Sequence, residues 1–192
     1  MANSRIVLAS QSPRRLELLQ QIGLQPEVIP AHIDETVRPG ESPEQYVLRM
    51  SEAKAAAVAD SLSEARVILA ADTAVVLGEQ IFGKPESASD AAAMMHALSG
   101  KTHRVLSSVS VCQSTCRVSR VVASEVTFRT LNNAEIRHYW ETGEPRDKAG
   151  GYAIQGLGAV FVESISGSYS AIMGLPLYET AELLAECGIH VF

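Results

Sequence analysis

Ser10-Gln11-Ser12-Pro13-Arg14-Arg15 gathers two hydroxyls, the free amide donors of a starting helix and two guanidinium groups into a few residues. That combination suits an anion, because helix-start N–H groups and the guanidinium fork both complement phosphate oxygens. A capped surface helix with solvated arginines is the competing reading, and the pattern divides evenly between the two. Asp72 follows the apolar run Val67 to Ala71 and precedes Thr73. A carboxylate is therefore expected at the end of a buried strand, where open α/β sheets place their ligands; a turn-capping aspartate is the alternative. Asp34-Glu35 and Lys54 form a second cluster. Glu35 can help hold a divalent cation, since Mg²⁺ takes one or two carboxylates together with substrate phosphates; a solvated acidic loop competes. Lys84 is pinned in Gly83-Lys84-Pro85. Asp147-Lys148 precedes Gly150-Gly151 in a loop suited to close backbone approach. Gln155, between Ile154 and Gly156, is either a recognition amide or a loop amide bonded to backbone.

The cations themselves are informative. Of 16 Lys and Arg, only Lys54, Lys84, Lys101 and Lys148 are lysines. Codon bias explains such a split, but a scarce compact point charge with three donors also persists where phosphate oxygens need it. Several other chemistries lack their signatures. The chain has no G-x-x-x-x-G-K-[ST], no G-x-G-x-x-G after a strand, no H-E-x-x-H and no G-x-S-x-G elbow, which argues against a P-loop ATPase, a dinucleotide enzyme, a zinc protease and a serine hydrolase.

The elements that must position these groups alternate between strand and helix. Arg5 to Ala9 reads as a short buried strand. Ser12 and Pro13 supply an N-cap and a first helical residue, and Leu16, Leu18, Leu19 and Ile22 form an apolar helical face that Gly23 ends. Ser42-Pro43 repeats the signal and opens a long helix with Tyr46, Val47, Met50, Ala53 and Ala57 on one face. A strand over Val67 to Ala71 ends at Asp72-Thr73, with strand character resuming from Ala74 to Leu77. A helix over Ser89 to Leu98 follows. Val105 to Val111 and Arg117 to Phe128 read as a hairpin, and Asn132 or Asn133 caps a helix through Trp140. Ala159 to Ile165 reads as a strand and Leu175 to Cys187 as the last helix. This alternation predicts an α/β fold, and the hairpin argues against an entirely parallel sheet.

Composition sets the outer bounds. The 192 residues are 46% hydrophobic and 20% charged, enough for one domain with a core that needs no staple. A net charge of −6 argues against a protein that coats nucleic acid, while leaving room for a local cationic pocket. No apolar run spans a bilayer, and Met1 to Ala9 is too short for a signal-peptide core. The three cysteines carry no zinc spacing and are expected to be free thiols in a reducing cytoplasm.

Taken together, the motifs are far more specific than any one of them. In order they are S-x-S-P-R-R, Asp34-Glu35, E-x-K-A (Glu52 to Ala55), A-D-T (Ala71 to Thr73), G-K-P, D-K-A-G-x-Y-x-I-Q-G (Asp147 to Gly156) and G-L-P-L-x-E-T (Gly174 to Thr180). The set resembles the Maf family of nucleoside triphosphate pyrophosphatases over nearly the whole chain, and within it the branch acting on dTTP and UTP. The resemblance implies a two-lobed fold over residues 1–192, related to ITPase-like proteins, with a curved mixed sheet and a deep nucleotide cleft. It implies hydrolysis between the α and β phosphates, a divalent cation (Mg or Mn) and a cytoplasmic setting. Residue by residue, it makes Asp72 the general base and Arg14, Thr73 and Gln155 the residues of substrate choice. It puts Ser10, Ser12, Arg15, Lys54 and Lys84 against the phosphates, Glu35 and Asp72 at the metal, and Asp147 and Lys148 elsewhere in the cleft. The expected partner is the nucleotide, neither nucleic acid nor membrane, with a homodimer left open.

An amide at Gln155 has chemical logic. It offers one donor and one acceptor, matching O4 and N3–H of uracil or thymine. Cytosine reverses that pattern and leaves buried groups unpaired, at about 1–3 kcal/mol each. Because an amide can flip, discrimination requires neighbours that fix it. Modified uridine triphosphates, a 7-methyl-GTP pyrophosphatase of the same family and a nucleotide-binding regulator of septum formation are the other readings.

Overall fold

A computed structural model of the chain describes residues 6–113 and 116–191; Arg5 and the tip of the expected hairpin lie outside them. The elements run β1 (Ile6–Leu8), α1 (Pro13–Gln21), β2 (Glu27–Val28), α2 (Pro43–Ser61), β3 (Val67–Leu77), β4 (Gln80–Phe82) and α3 (Ala88–Leu98). Then come β5 (Thr102–Gln113), β6 (Cys116–Phe128), α4 (Asn133–Glu141), β7 (Val162–Ser166), α5 (Tyr169–Met173) and α6 (Leu177–Glu186). One mixed sheet has the strand order β2-β1-β3-β5-β6-β7, with β4 also paired to β3. The β1 strand runs parallel to β2 and β3, and the other pairs are antiparallel.

The β3 strand organises the molecule. Its first three residues, Val67 to Leu69, pair with β1, and its last three, Val75 to Leu77, pair with β4. Along its other edge it pairs with β5 without a break from Ile68 to Val76. Between the β1 and β4 contacts one edge of β3 is open, and Asp72 and Thr73 lie in that gap. Side chains alternate faces along a strand. Ile68, Ala70, Ala74 and Val76 pack in clusters that include Val47, Ala55 and Val58 of α2. Leu69 and Ala71 pack on the opposite face with Leu18, Leu19 and Leu183. Asp72 therefore belongs to the α2 face and Thr73 to the α1/α6 face. A separate cluster at the far end of the sheet is built around Phe128, Tyr139, Tyr152 and Phe161.

Several expectations need correction. The β3 strand does not end at Asp72 but continues to Leu77; the charge is tolerated mid-strand because a buried lysine meets it. The buried face of α2 runs through Val47, Met50, Ser51, Lys54, Ala55 and Val58, while Tyr46, Ala53 and Ala57 are half-buried. Counting apolar residues alone rotated that face, because it carries Ser51 and Lys54 toward β3 and β5. Leu157–Phe161 is a 3₁₀ turn, and the strand begins only at Val162. The expected last helix is present as α6, but a short helix, α5, that the sequence did not signal precedes it across Gly174 at φ 123°. Cys116 and Cys187 form a disulfide with Cα atoms 5.9 Å apart, so only Cys112 is a free thiol. A separation of 71 residues concealed the pair, which the packing of α6 against β6 brings together.

Candidate active site

One cleft of about 550 Å³ is lined by all twelve candidate residues: Ser10, Ser12, Arg14, Arg15, Glu35, Lys54, Asp72, Thr73, Lys84, Asp147, Lys148 and Gln155. The lining holds five Lys and Arg against three carboxylates, a local excess of positive charge in a chain of net charge −6. That inversion is what a polyphosphate would select.

At the floor, Lys54 Nζ donates to Asp72 Oδ1 at 2.7 Å and lies 2.7 Å from Glu35 Oε1. Lys54 and Asp72 are 8% and 7% exposed, so this contact is sheltered from water, whereas the Glu35 side chain is half-exposed. Burial pushes the Asp72 carboxyl above the usual carboxylate range, with Lys54 and Arg15 pulling against it. Burial also acts to raise Glu35, but the hydrogen bond and charge of Lys54, aided by Lys84 and Arg15, leave it below its ordinary value. Asp72 Oδ2 has no hydrogen-bond partner among the described residues. Glu35 is delivered by a braced loop. Asp34 accepts from Thr36 N and Oγ1, Arg49 holds Glu41 and the Thr36 carbonyl, and the Tyr46 hydroxyl donates to the Glu35 carbonyl. Asp34 is thus committed to its own turn.

No cluster of three or more His, Cys, Asp or Glu able to hold a metal occurs among the described residues. Two carboxylates that converge on one ammonium do fit a hard cation that takes its remaining oxygens from water and substrate phosphates.

At the phosphate side, Ser12 occupies the N-cap of α1, but its hydroxyl makes no capping bond; instead its backbone N–H donates to Ser10 Oγ at 3.1 Å. Pro13 carries no N–H and the Arg15 N–H donates to the Ser12 carbonyl at 3.2 Å, so of the first three helical residues Arg14 alone keeps a backbone donor without a partner among the described residues. Arg15 donates through Nε to the Gly174 carbonyl at 2.9 Å, through Nη1 to Ser10 Oγ at 3.0 Å and through Nη2 to Thr73 Oγ1 at 3.3 Å. It clamps α1, β3 and the segment before α6 together, with part of its fork left for a ligand. Thr73 is engaged in the same knot, 3.0 Å from Ser107 Oγ on β5. Arg14 reaches across to Asp147 at 3.3 Å, and Asp147 also pairs with Lys148. Lys84 is exposed at the rim.

The cleft lining also includes Val75, Phe82, Val105, Tyr152, Ile154 and Ile172, which belong to one buried apolar cluster. Gly150 lies close against Val75 of β3. Its φ is +69°, a Cβ there would lie 2.9 Å from three carbons of Val75, and its N–H donates to the Gly83 carbonyl. The loops of Lys84 and Lys148 are fixed to each other by that bond. Gln155 is exposed in the cleft wall and its side chain has no hydrogen-bond partner among the described residues. Sequence reasoning missed Glu144 and Tyr139, which sit behind the Gln155 loop, and His103, which bonds Tyr152 from the core. Only Tyr152 carried a signal, as the tyrosine of the glycine-rich motif.

The Maf-like protein family model matches residues 5–187. A protein of Pseudoalteromonas atlantica (strain T6c / ATCC BAA-1087) named dTTP/UTP pyrophosphatase is 50% identical over 96% of this chain and 97% of its own length. One of the same name from Anaeromyxobacter dehalogenans (strain 2CP-1 / ATCC BAA-258) is 54% identical over 96% of this chain and 94% of its own. The solved structure of the Staphylococcus aureus Ham1 protein overlaps at a TM-score of 0.46, with 17% identity over 82% of this chain and 79% of that one.

Proposed function

The chain belongs to the Maf family, and on that premise we propose that it hydrolyses dTTP and UTP to the nucleoside monophosphate and pyrophosphate. The observation that carries the reading is the meeting of Asp72 and Glu35 at one Lys54 ammonium, on the floor of a cleft lined by both cationic and apolar side chains. Such a cleft accommodates a triphosphate and a base at once.

In the proposed mechanism, Asp72 takes a proton from the water that attacks the α-phosphorus. The bond from that phosphorus to the bridging oxygen breaks, and pyrophosphate leaves. A carboxylate raised by burial is a stronger base than a free one, and general-base action typically contributes about 10²–10⁴-fold. Lys54 keeps Asp72 ionised and in place. Arg14 with its backbone N–H, Lys84 and the remaining N–H groups of Arg15 neutralise the phosphates and steady the leaving pyrophosphate. Glu35 and Asp72 would hold a Mg²⁺ or Mn²⁺ ion, which supplies Lewis-acid polarisation of phosphoryl oxygens and acidifies water. Gln155 pairs with O4 and N3–H of the base, and the apolar side chains of the cleft lining pack against the base.

The residues act as one catalytic unit, since the cleft draws on segments from Ala9 to Gly174. The proposed setting is the cytoplasm, where the substrates are. Reducing conditions there bear on the disulfide, but neither of its cysteines lines the cleft.

The test is a panel of dTTP, UTP, CTP, dATP, GTP and 7-methyl-GTP, with and without Mg²⁺ or Mn²⁺, quantifying pyrophosphate and orthophosphate. Cation-dependent pyrophosphate from dTTP and UTP is expected, abolished in Asp72→Asn while nucleotide binding persists. Preference for 7-methyl-GTP would replace the base assignment. Near-native turnover in Asp72→Asn would remove the general base. Absence of turnover by folded protein would favour a binding regulator.

A further inference from the structure

Base discrimination by an amide requires that the amide not move, and the Gln155 side chain has no hydrogen-bond partner among the described residues to hold it. Its backbone is held instead. The loop from Ala153 to Gly158 wraps around a single carboxylate. Glu144 Oε1 accepts from the Gly158 N–H at 3.0 Å and from the Tyr139 hydroxyl at 2.7 Å, and Oε2 accepts from the Leu157 N–H at 2.9 Å. The Tyr139 oxygen in turn accepts from the Ala153 N–H at 3.0 Å. Three backbone donors flanking Gln155 on both sides thus end on one carboxylate–phenol pair. The loop turns tightly around that pair. A Cβ on Gly156 would stand 2.2–2.8 Å from the Glu144 carboxylate, and one on Gly158 would stand 2.7 Å from the Tyr139 hydroxyl. Tyr139 itself is 4% exposed and packs edge-on against Phe161, with ring centroids 5.0 Å apart. Loop, phenol and core are therefore continuous.

We propose that Glu144, seated on Tyr139, is the positioning residue that fixes the Gln155 loop and so sets discrimination between bases. The inference rests on the reading that Gln155 meets the base. Charge chemistry agrees with it: burial disfavours the Glu144 carboxylate, yet the bonds from Tyr139, Gly158 and Leu157 outweigh burial and keep its pKa below the ordinary value. All three groups that point at Glu144 are donors. A glutamine of the same shape would turn an NH₂ group toward at least one of them, so the loop would shift to relieve donor against donor.

The experiment compares wild type, Glu144→Gln, Tyr139→Phe and Gln155→Ala. It measures kcat/KM for dTTP and dCTP, and binding of dTMP and of pyrophosphate by calorimetry. Glu144→Gln is expected to lower the dTTP-over-dCTP preference and the dTMP affinity about tenfold, with pyrophosphate affinity unchanged. Tyr139→Phe, which strips the acceptor from the Ala153 N–H, is expected to move the same two quantities less. Wild-type preference in Glu144→Gln while Gln155→Ala loses it would overturn the role of Glu144 and leave that of Gln155 standing. Retained preference in Gln155→Ala would overturn the reading beneath. Equal loss of dTMP and pyrophosphate binding would reduce Glu144 to general support of the cleft and overturn the proposal. Should Glu144→Gln not fold, Tyr139→Phe decides: wild-type preference there counts against the proposal.

Discussion

Replacing Lys54 with methionine tests the floor of the cleft most directly. Its ammonium bonds Asp72 and faces Glu35, each at 2.7 Å, inside a region where Asp72 is already pushed upward by burial. Methionine keeps most of the volume and removes the charge. With charge centres about 4 Å apart and an effective dielectric constant near 20, the lost attraction is about 4 kcal/mol. One pKa unit corresponds to about 1.4 kcal/mol, so the upper bound is about 3 units. Arg15 remains and relaxation reduces the effect, so a rise in the Asp72 pKa of roughly 1–3 units is expected. The sign follows from the group: a base that protonates at higher pH is inactive at higher pH. The acid limb of the kcat/KM profile for dTTP should therefore move toward neutrality by that amount, while activity on the alkaline side recovers part of the wild-type value. Lys101→Met, at an exposed position outside the cleft, is the control and should leave the limb in place. An acid limb unmoved in Lys54→Met would refute the coupling of Lys54 to the base, whatever the change in rate.

Three further perturbations follow from the fold. His103 is buried and its pKa is lowered to about 4 by desolvation. The unfolded chain therefore binds the proton first, and stability present above pH 6.5 declines as pH falls toward 4, by about 3 kcal/mol in total; urea unfolding against pH should show the decline, and His103→Gln should flatten it. Gly150→Ala places a methyl 2.9 Å from Val75 at φ +69°. It should cost about 2–4 kcal/mol, partly restored by Val75→Ala, as read by thermal denaturation. Reducing the Cys116–Cys187 bridge opens a separation of 71 residues and removes up to about 4 kcal/mol on loop-entropy grounds. Thermal midpoints should fall while dTTP turnover at 25 °C is retained.

Local signals in the sequence proved reliable where the physics is local. Ser12-Pro13, Ser42-Pro43 and Asn132 each open a helix at the expected place, and Ser42 and Asn132 complete capping boxes with Gln45 and Glu135. The long hairpin strands and the need for glycine at Gly150 were legible for the same reason. What was not legible depends on partners far away in sequence. Asp72 reads as a strand terminus because a lone carboxylate belongs at an end; Lys54 on α2, aided by Arg15 on α1, lets it sit mid-strand. Arg15 reads as a free phosphate ligand, and its bonds to Gly174 and Thr73 require knowledge of what folds beside it. Glu144 carried no motif at all, because its partners are mostly backbone N–H groups, which no side-chain pattern encodes.

The distance between Lys54 and Asp72 is itself set by small polar residues. Ser108 on β5 is the register partner of Asp72 on β3. Ser51 lies one turn before Lys54 on α2, and its hydroxyl is 2.6 Å from Ser108 Oγ and 2.7 Å from Ser110 Oγ. The helix that carries the ammonium is thus bonded to the strand residue beside the carboxylate it neutralises. Serines suit this seam twice over: they are small enough for α2 to lie close on the sheet, and their hydroxyls satisfy one another where water is excluded. Alanines there would keep the close approach but leave the sliding of α2 along β5 to apolar packing, which is not directional. A catalytic pair drawn from two separate elements needs a directional tie near it, and this one lies within a helical turn of both partners.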